Sequence, residues 1–247
     1  MKKIYKILLI VLGLIIVVLG GLYLAFNEKK PTGIVSKDAD TLALKMTTAL
    51  GKSVWDSTNV IKWTFKGVHT YVWNKKDEQV LVKWDEYEVY LNLKDWQKGK
   101  AFENGVAVAD KKMDIYRGRA YEFFCNDSFW LMAPFKVFDE GVSRQIVDTP
   151  EGQNLLVSYT SGGVTPGDSY LWQIGEDGKP VSYKMWVKII PIGGVKATWE
   201  SWIETQKGLF LAQNHKLGSL SLEMENIKTG QSLTAVGESE TLFDKIK

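Results

Sequence analysis

The chain has very little of the chemistry from which disulfides and metal sites are built. Of its 247 residues, one is a cysteine, Cys125, and two are histidines, His69 and His215. A single cysteine excludes an intramolecular disulfide and a multi-cysteine zinc site. We therefore expect neither a metal nor a cofactor.

An excess of charge of either sign is also lacking. The formal net charge is +2, from 31 basic and 29 acidic residues. Residues 1–30 hold five lysines and one glutamate, which leaves 26 basic and 28 acidic residues in the rest of the chain. Such a slightly acidic body lacks the basic surface of a nucleic-acid binder, so we expect no nucleic-acid partner. A hydrophobic content of 45% excludes a disordered chain.

The sequence also lacks a recognisable catalytic arrangement. It contains no Gly-x-Ser-x-Gly elbow, and Ser161-Gly162-Gly163 is not followed by the Gly-Lys-Ser/Thr of a phosphate loop. Nothing next to Cys125 marks it as an activated nucleophile. His69 and His215 lie on predicted strands, where a hydrogen-bonded structural role explains them. We name no catalytic residue, and a binding role is favoured over an enzyme.

One long hydrophobic run is present at the start of the chain. Ile7–Phe26 reads ILLIVLGLIIVVLGGLYLAF, 20 residues without a charge. As a helix it extends about 30 Å, the thickness of a bilayer's hydrocarbon core. We predict an uncleaved membrane anchor within residues 1–30 and a linker at residues 31–37. A cleaved signal segment is the alternative, but its apolar stretch is usually about 7–15 residues, and Tyr23 is too bulky for a cleavage site ending at Ala25.

Lysines flank this run and indicate its orientation. Three lysines precede it, whereas Glu28, Lys29 and Lys30 follow it. The positive-inside rule therefore favours a cytoplasmic amino terminus. We expect a single-pass membrane protein whose main domain lies on the extracytoplasmic, periplasmic side.

Two segments carry the periodicity of an α-helix. Asp38–Leu50 has an apolar stripe at intervals of three and four residues, and Ser36 or Asp38 can cap its start. Gly51 can supply the left-handed residue that ends this helix. A second stripe predicts a helix near Asp110–Phe124, with Asn126, Asp127 and Ser128 as its exit turn.

Most of the remaining sequence alternates apolar and polar residues with a period of two. In a strand, successive side chains point to opposite faces of the sheet. Turn signals, Gly162–Gly163 among them, separate about ten such runs. We predict one α+β domain over residues 38–247 that contains an antiparallel barrel or a strongly curved sheet. The runs begin at Ile61, Tyr87, Tyr170, Val181, Val195, Leu209 and Leu220.

Aromatic residues are abundant, with ten each of Trp, Tyr and Phe. Core packing explains many of them, because each ring buries a large apolar area. Tyr90, Trp186 and Trp202, however, fall on the face opposite their apolar strand neighbours. Either short helices cover this second face, or the sheet curls around an apolar cavity that holds a ligand.

Three segments are more distinctive than their composition: residues 126–142 (NDSFWLMAPFKVFDEGV), 163–174 (GVTPGDSYLWQI) and 199–216 (WESWIETQKGLFLAQNHK). They resemble a family of uncharacterised bacterial proteins related to the outer-membrane lipoprotein carriers, the LolA-like proteins. The helix ending at Ala49-Leu50-Gly51 is similar to the opening of those proteins, and the resemblance spans most of residues 36–230. In the family pattern an Asn-Asp turn precedes an aromatic-Trp-Leu strand, Pro-x-Lys, an Asp-x-Gly turn and a Thr-Pro-Gly-Asp-x-Tyr strand. The matching residues are Asn126, Asp127, Trp130, Leu131, Pro134, Lys136, Asp139, Gly141, Thr165, Pro166, Gly167, Asp168 and Tyr170.

The resemblance implies an incomplete antiparallel β-barrel, or half-barrel, with one or more helices on its concave side. In the carriers, the cavity of this barrel takes the acyl chains of lipoproteins. Because an anchored chain cannot diffuse between membranes, we expect binding or presentation at one membrane instead. The residues expected to contact the ligand are Trp130, Pro134, Lys136, Tyr170, Trp172, Trp186 and Trp202.

The sequence thus predicts a non-catalytic binding protein for a lipid, a lipoprotein acyl chain or another apolar ligand. One alternative is an extracytoplasmic enzyme that uses acidic residues in the cavity, such as the pairs Asp85/Glu86 and Asp139/Glu140. Charged turns explain these pairs equally well, and Lys136 can pair with Asp139 across one. The other alternative is a scaffold that offers a sheet edge or a surface patch to a partner protein.

Overall fold

The computed structural model describes residues 2–150, 152–161 and 164–246. These residues form an α+β fold with a large curved antiparallel sheet and one long helix lying on it. The predicted α+β class and the predicted curved antiparallel sheet are therefore confirmed. The turn predicted at Gly162–Gly163 lies outside the described residues. The helices are α1 (Lys2–Phe26), α2 (Lys37–Ala49), α3 (Lys52–Ser57) and α4 (Asp110–Met132).

The described residues form fourteen strands, where the sequence predicted about ten. They are β1 (Val60–Phe65), β2 (His69–Asn74), β3 (Gln79–Trp84), β4 (Tyr87–Asn92), β5 (Lys100–Glu103), β6 (Val106–Ala107), β7 (Val142–Thr149), β8 (Gly152–Tyr159), β9 (Ser169–Ile174), β10 (Pro180–Trp186), β11 (Val195–Thr198), β12 (Glu200–Gln206), β13 (Leu209–Leu217) and β14 (Leu220–Gly230).

The sheet consists of two meanders. The first runs from β1 to β6 and the second from β7 to β14, and they join where β1 pairs antiparallel with β14. The order across the sheet is β6-β5-β4-β3-β2-β1-β14-β13-β11-β10-β9-β8-β7, with β12 added beside β13. Strands β6 and β7 are therefore the two edges, and the described part of the sheet stays open between them.

Helix α2 begins and ends within a residue or two of the predicted positions. The Ser36 side chain accepts a hydrogen bond from the backbone N–H of Ala39, which caps the first turn. Gly51 follows the helix with φ +80°, and a Cβ at this residue would lie 1.7 Å from the carbonyl oxygen of Gly208. A glycine is required here, because the chain needs both a left-handed conformation and a close approach to the sheet.

Helix α4 is longer than the sequence predicts. The predicted helix ended near Phe124 with an exit turn at residues 126–128, but α4 continues to Met132. The strand that the family resemblance implies at residues 129–131 is likewise helical, so both expectations are wrong. The turn-favouring Ser128 hydroxyl donates to the backbone carbonyl of Phe124, one helical turn back, and is thereby satisfied inside the helix.

Helices α2 and α4 lie on one face of the sheet, which we call the inner face. Alternate residues of each strand point to it; on β1 these are the buried Ile61, Trp63 and Phe65, as predicted. On the other, outer face of the first meander, Tyr90 packs against Phe243 in a short 3-10 turn near the carboxyl end. For Tyr90, a covering by short helical turns is therefore the correct alternative.

Helix α1 is followed by an extended segment, residues 27–35, that lies along the second meander and that we call the strap. Ile34 of the strap forms an antiparallel bridge with Ile146 of β7. Within the described residues, no helix combines the length and the hydropathy that crossing a bilayer requires.

Candidate functional site

A cavity of about 380 Å³ lies between the second half of α4 and the inner face of the second meander. This volume falls within the range of about 300–1,000 Å³ that is typical of small-molecule sites. Its walls are mainly apolar and aromatic, and they come from α4, from β7, β8, β9, β10 and β13, and from the loops after β8 and β10. The apolar and aromatic lining residues are Phe124, Phe129, Trp130, Met132, Val142, Tyr159, Val164, Tyr170, Tyr183, Met185, Val187, Ile189, Ile190 and Leu217.

Three tyrosines on adjacent strands form one wall of this cavity. Tyr159, Tyr170 and Tyr183 lie on β8, β9 and β10, and all three are buried. The ring centroids of Tyr159 and Tyr170 are 5.8 Å apart, and those of Tyr170 and Tyr183 are 5.1 Å apart. In the sheet register Tyr170 is opposite Met185, so Tyr183 is its diagonal neighbour on the same face.

The hydroxyls of these tyrosines are neutral and have no hydrogen-bond partner among the described residues. Burial raises the pKa of Tyr159, Tyr170 and Tyr183 above the ordinary value for a phenol, so each hydroxyl keeps its proton. The Tyr159 hydroxyl is buried without a hydrogen-bond partner. The described residues provide no partner for the hydroxyl of Tyr170 or Tyr183 either.

The second half of α4 forms the opposite wall. The Phe129 ring lies 5.7 Å from Tyr159 and 4.8 Å from Tyr170, measured between centroids. The next residue, Trp130, lies 5.7 Å from Tyr183. The helical turns that the sequence failed to predict at the end of α4 are therefore the ones that complete this site.

The charged groups that line the cavity are engaged with local partners or exposed at its rim. Lys136 pairs with Asp139, as the sequence suggested, and both are partly exposed. The buried Asp168 accepts hydrogen bonds from the Thr165 hydroxyl at 2.6 Å and from the backbone N–H of Lys188 at 3.0 Å. These contacts give Asp139 and Asp168 structural roles at the edge of the cavity.

Three of the seven residues expected to contact a ligand lie together in the cavity wall. Trp130, Lys136 and Tyr170 line the cavity. Trp172 is also on the inner face but is fully buried, with its ring 4.9 Å from Tyr183 and 5.1 Å from Trp199.

The other three lie apart from the described cavity lining. Pro134 is buried in a 3-10 turn after α4, spanning Ala133–Lys136. Trp186 is on the outer face, where its indole N–H donates to the carbonyl of Glu28 at 2.8 Å. Trp202 lies on β12 and stacks on Trp199 with ring centroids 6.0 Å apart.

Sequence reasoning missed several of the lining residues. Tyr183, Met185 and Val187 belong to an alternating run that the sequence identified. Because this alternation places all three on one face of the sheet, it was a signal that could have found them. Tyr159 had no such signal, because β8 was not predicted. Phe129 was assigned to a strand instead of the helix.

Cys125 also borders the cavity. Burial raises the pKa of its thiol, which therefore stays protonated at neutral pH. A protonated, half-buried thiol is a poor nucleophile, and this agrees with the absence of an activating sequence around it.

Both histidines are hydrogen bonded, as the sequence indicated. His69 Nδ1 lies 2.7 Å from Oδ2 of Asp127 on α4, and the Tyr71 hydroxyl donates to the same oxygen at 2.5 Å. His215 is fully buried with Nδ1 3.0 Å from the Thr198 carbonyl, and burial lowers its pKa to about 4. The described residues contain no cluster of three or more His, Cys, Asp or Glu side chains that could hold a metal.

Comparison with known proteins assigns no family to the chain. No family model matches its sequence, and no curated protein matches it. The LolA-like resemblance accordingly rests on the quoted sequence segments alone.

Proposed function

We propose that the protein is a membrane-anchored, non-catalytic binding protein of the LolA-like kind. It holds a lipid, a lipoprotein acyl chain or another apolar ligand in the cavity beneath α4. The cavity is the observation that carries this proposal, because its walls are mostly aromatic and aliphatic. Each methylene that leaves water for such a cavity contributes about 0.8 kcal/mol.

An apolar rim supports the same function. Ile189 is 67% exposed and Val164 is 38% exposed, and both line the cavity. These side chains connect the apolar interior with the protein surface. A chain of methylenes can therefore stay in contact with apolar groups as it enters.

The membrane anchor in this proposal rests on the sequence of Ile7–Phe26. This run is uncharged over a length that matches a bilayer. Apolar side chains of α1 are exposed, among them Leu8, Leu14 and Leu24. A bilayer around α1 would remove them from water.

The strap supports binding close to that membrane. The Glu28 N–H donates to the Gly193 carbonyl at 3.0 Å, and the Gly193 N–H donates to the Asn27 side chain at 2.8 Å. Gly193 belongs to the β10–β11 loop, which also contributes Ile189 and Ile190 to the cavity. The first residues of the strap, directly after α1, are thus hydrogen bonded to the loop that borders the cavity mouth.

Photo-crosslinking in a bilayer tests the binding function. The full chain is placed in nanodiscs that contain a monoacylglycerol with a diazirine in its acyl chain, and crosslinked peptides are mapped by mass spectrometry. We expect crosslinks at Phe129–Met132 and Met185–Ile190, in addition to those on α1. Crosslinks confined to α1 would contradict the proposal.

Two valine variants provide the matched control. Val187→Trp places a large ring in the cavity and should abolish its crosslinks, because Val187 is a buried lining residue. Val181→Trp makes the same change at a 48% exposed residue of β10, the strand that ends just before Val187, and should leave them intact. Equal crosslinking in both variants would place the ligand outside the cavity.

Labelling of intact cells tests the orientation. Val106 is 71% exposed at the edge of the sheet, so Val106→Cys in a Cys125→Ser background presents one accessible thiol. A membrane-impermeant maleimide should label it from outside the cytoplasmic membrane. Labelling only after the cells are broken would contradict an extracytoplasmic domain.

A further inference from the structure

The cavity contains an unmatched set of hydrogen-bond donors, and their role as ligand contacts rests on the proposed binding function. Tyr159, Tyr170 and Tyr183 place three neutral hydroxyls along one wall. The Tyr159 hydroxyl is buried, and no described residue accepts its hydrogen bond. A buried donor without an acceptor is unfavourable, and native folds keep few of them.

The rest of the inner face shows that this fold can satisfy a buried tyrosine. Tyr71, on the inner face of β2, donates its hydroxyl to Asp127 at 2.5 Å. The aromatic wall under Phe129 and Trp130 has no such acceptor within the described residues. Buried indole N–H groups of Trp63, Trp172 and Trp199 also lack a partner among the described residues, but none of them lines the cavity. Among the tyrosine hydroxyls the difference falls at the cavity, where there is room for a ligand to supply the missing acceptor.

The charges near these tyrosines indicate which acceptor fits. The lysine that lines the cavity, Lys136, is already paired with Asp139. The carboxylate of Asp168 is two residues from Tyr170 and repels a second negative charge. A neutral carbonyl therefore fits the cavity better than the carboxylate of a free fatty acid.

We propose that the cavity selects acyl chains attached through an ester or an amide, whose carbonyl oxygen accepts hydrogen bonds from Tyr159, Tyr170 and Tyr183. The chain itself packs against the apolar walls, including Met185 and Leu217. Unmodified hydrocarbons lack the acceptor, and free fatty acids bring an uncompensated charge. The ester of a glycerolipid and the amide of an N-acylated lipoprotein offer the same carbonyl.

Four photoreactive probes with the same diazirine-bearing chain test this selectivity in nanodiscs with the full protein. They are a monoacylglycerol, an N-acyl dipeptide, the free fatty acid and the alkane. On the wild type, the ester or the amide should crosslink to the cavity more efficiently than the fatty acid and the alkane. Tyr170→Phe and Tyr183→Phe should each lower the ester or amide yield by about threefold to tenfold and leave the alkane yield unchanged.

Two further variants separate recognition from packing. Tyr159→Phe should lower the ester or amide yield while the melting temperature stays equal or rises, because it removes an unpartnered buried hydroxyl. Tyr116→Phe removes a hydroxyl that is hydrogen bonded to Tyr87, outside the cavity lining. This control should leave the crosslinking yield of every probe unchanged.

The outcomes distinguish a failure of the carbonyl selectivity from a failure of the binding function. Equal losses for the alkane and the ester in the Tyr→Phe variants, or no loss for any probe, would overturn the carbonyl selectivity while leaving the binding function intact. Fatty-acid crosslinking as strong as that of the ester would also overturn it. If no probe labels the wild-type cavity, the proposed function itself fails. A preference for the ester assigns a glycerolipid, and a preference for the amide assigns a lipoprotein chain.

Discussion

The two meanders share one sheet and one helix, but only the second one borders the large cavity. In the first meander, Trp63 stacks on Tyr71 with centroids 4.6 Å apart, and Phe124 of α4 packs on both rings. Asp127 then accepts the hydroxyl of Tyr71. Ring packing and the hydrogen bond between Tyr71 and Asp127 therefore fill the inner face of this half, although the indole N–H of Trp63 has no partner among the described residues.

The second meander uses the same residue types differently. Tyr159, Tyr170 and Tyr183 also face α4, but their hydroxyls find no described partner and a cavity separates parts of the two layers. The comparison shows that a sheet face and a helix do not by themselves determine a filled core. The residues that α4 presents determine it, and under the proposed function its two halves divide stability from binding.

Removal of a large ring from the filled half should have the largest effect. Trp63 is fully buried, so Trp63→Ala should lower the free energy of unfolding by about 3–5 kcal/mol through lost contacts and a new cavity. Trp130→Ala, at the existing cavity, should cost less than half as much. Denaturant titration of both variants measures the difference, and equal losses would contradict a division between the halves.

The pH dependence of stability provides the next test. His215 has a folded-state pKa of about 4 against 6.5 when unfolded, so it stays neutral in the fold although Glu200 nearby favours its charge. The unfolded state binds more protons between these values, and stability from this group is complete above pH 6.5 and falls as the pH drops towards 4. The expected loss is about 3 kcal/mol.

A His215→Gln variant isolates this contribution. Its free energy of unfolding should lack the part of the pH dependence between 6.5 and 4 that the wild type shows. The difference between the two proteins, followed by denaturant titration across this range, removes the contribution of carboxylates. Parallel curves would show that His215 is not held neutral.

Asp127→Asn tests the polar link between α4 and the first meander. The carboxylate accepts from both His69 and Tyr71, and an amide cannot accept with the same charge. We expect a loss of about 2 kcal/mol in the free energy of unfolding. Asp148→Asn, on an exposed part of β7, is the control and should change stability little. Similar losses in the two variants would contradict a stabilising link through Asp127.

The smallest expected change in stability comes from removing single tyrosine hydroxyls, one bonded and one unpartnered. Tyr71→Phe removes a bonded hydroxyl and should destabilise the protein by about 1 kcal/mol, whereas Tyr159→Phe removes an unpartnered one and should stabilise it by a similar amount. Thermal melts of the two variants should shift in opposite directions. Shifts of the same sign would mean that the Tyr159 hydroxyl has a partner.

Local sequence signals predicted the elements whose ends and faces depend on local chemistry. Ser36 and Gly51 fixed α2, and the alternation of Ile61, Trp63 and Phe65 fixed β1. Strand β7 was missed because it is an edge strand with exposed polar side chains. Helix α4 was cut short, because Asp127 in the expected exit turn instead accepts hydrogen bonds from His69 and Tyr71, which are far away in the sequence and invisible to a local pattern.

The candidate site shows the same limit of local information. The alternating pattern tells which face a side chain takes, and it correctly groups Tyr170 with Trp172 on the inner face. It does not tell how far along the strand the overlying helix makes contact. Trp172 is covered by Tyr183 and Trp199, whereas Tyr170 borders the cavity.

Native mass spectrometry of the intact chain, released from nanodiscs of a native lipid extract, tests the central claim most directly. Wild type should retain one acyl lipid more than Val187→Trp, in which the cavity is filled, while Val181→Trp should match wild type. Equal lipid retention in all three proteins would show that the cavity under α4 holds no ligand.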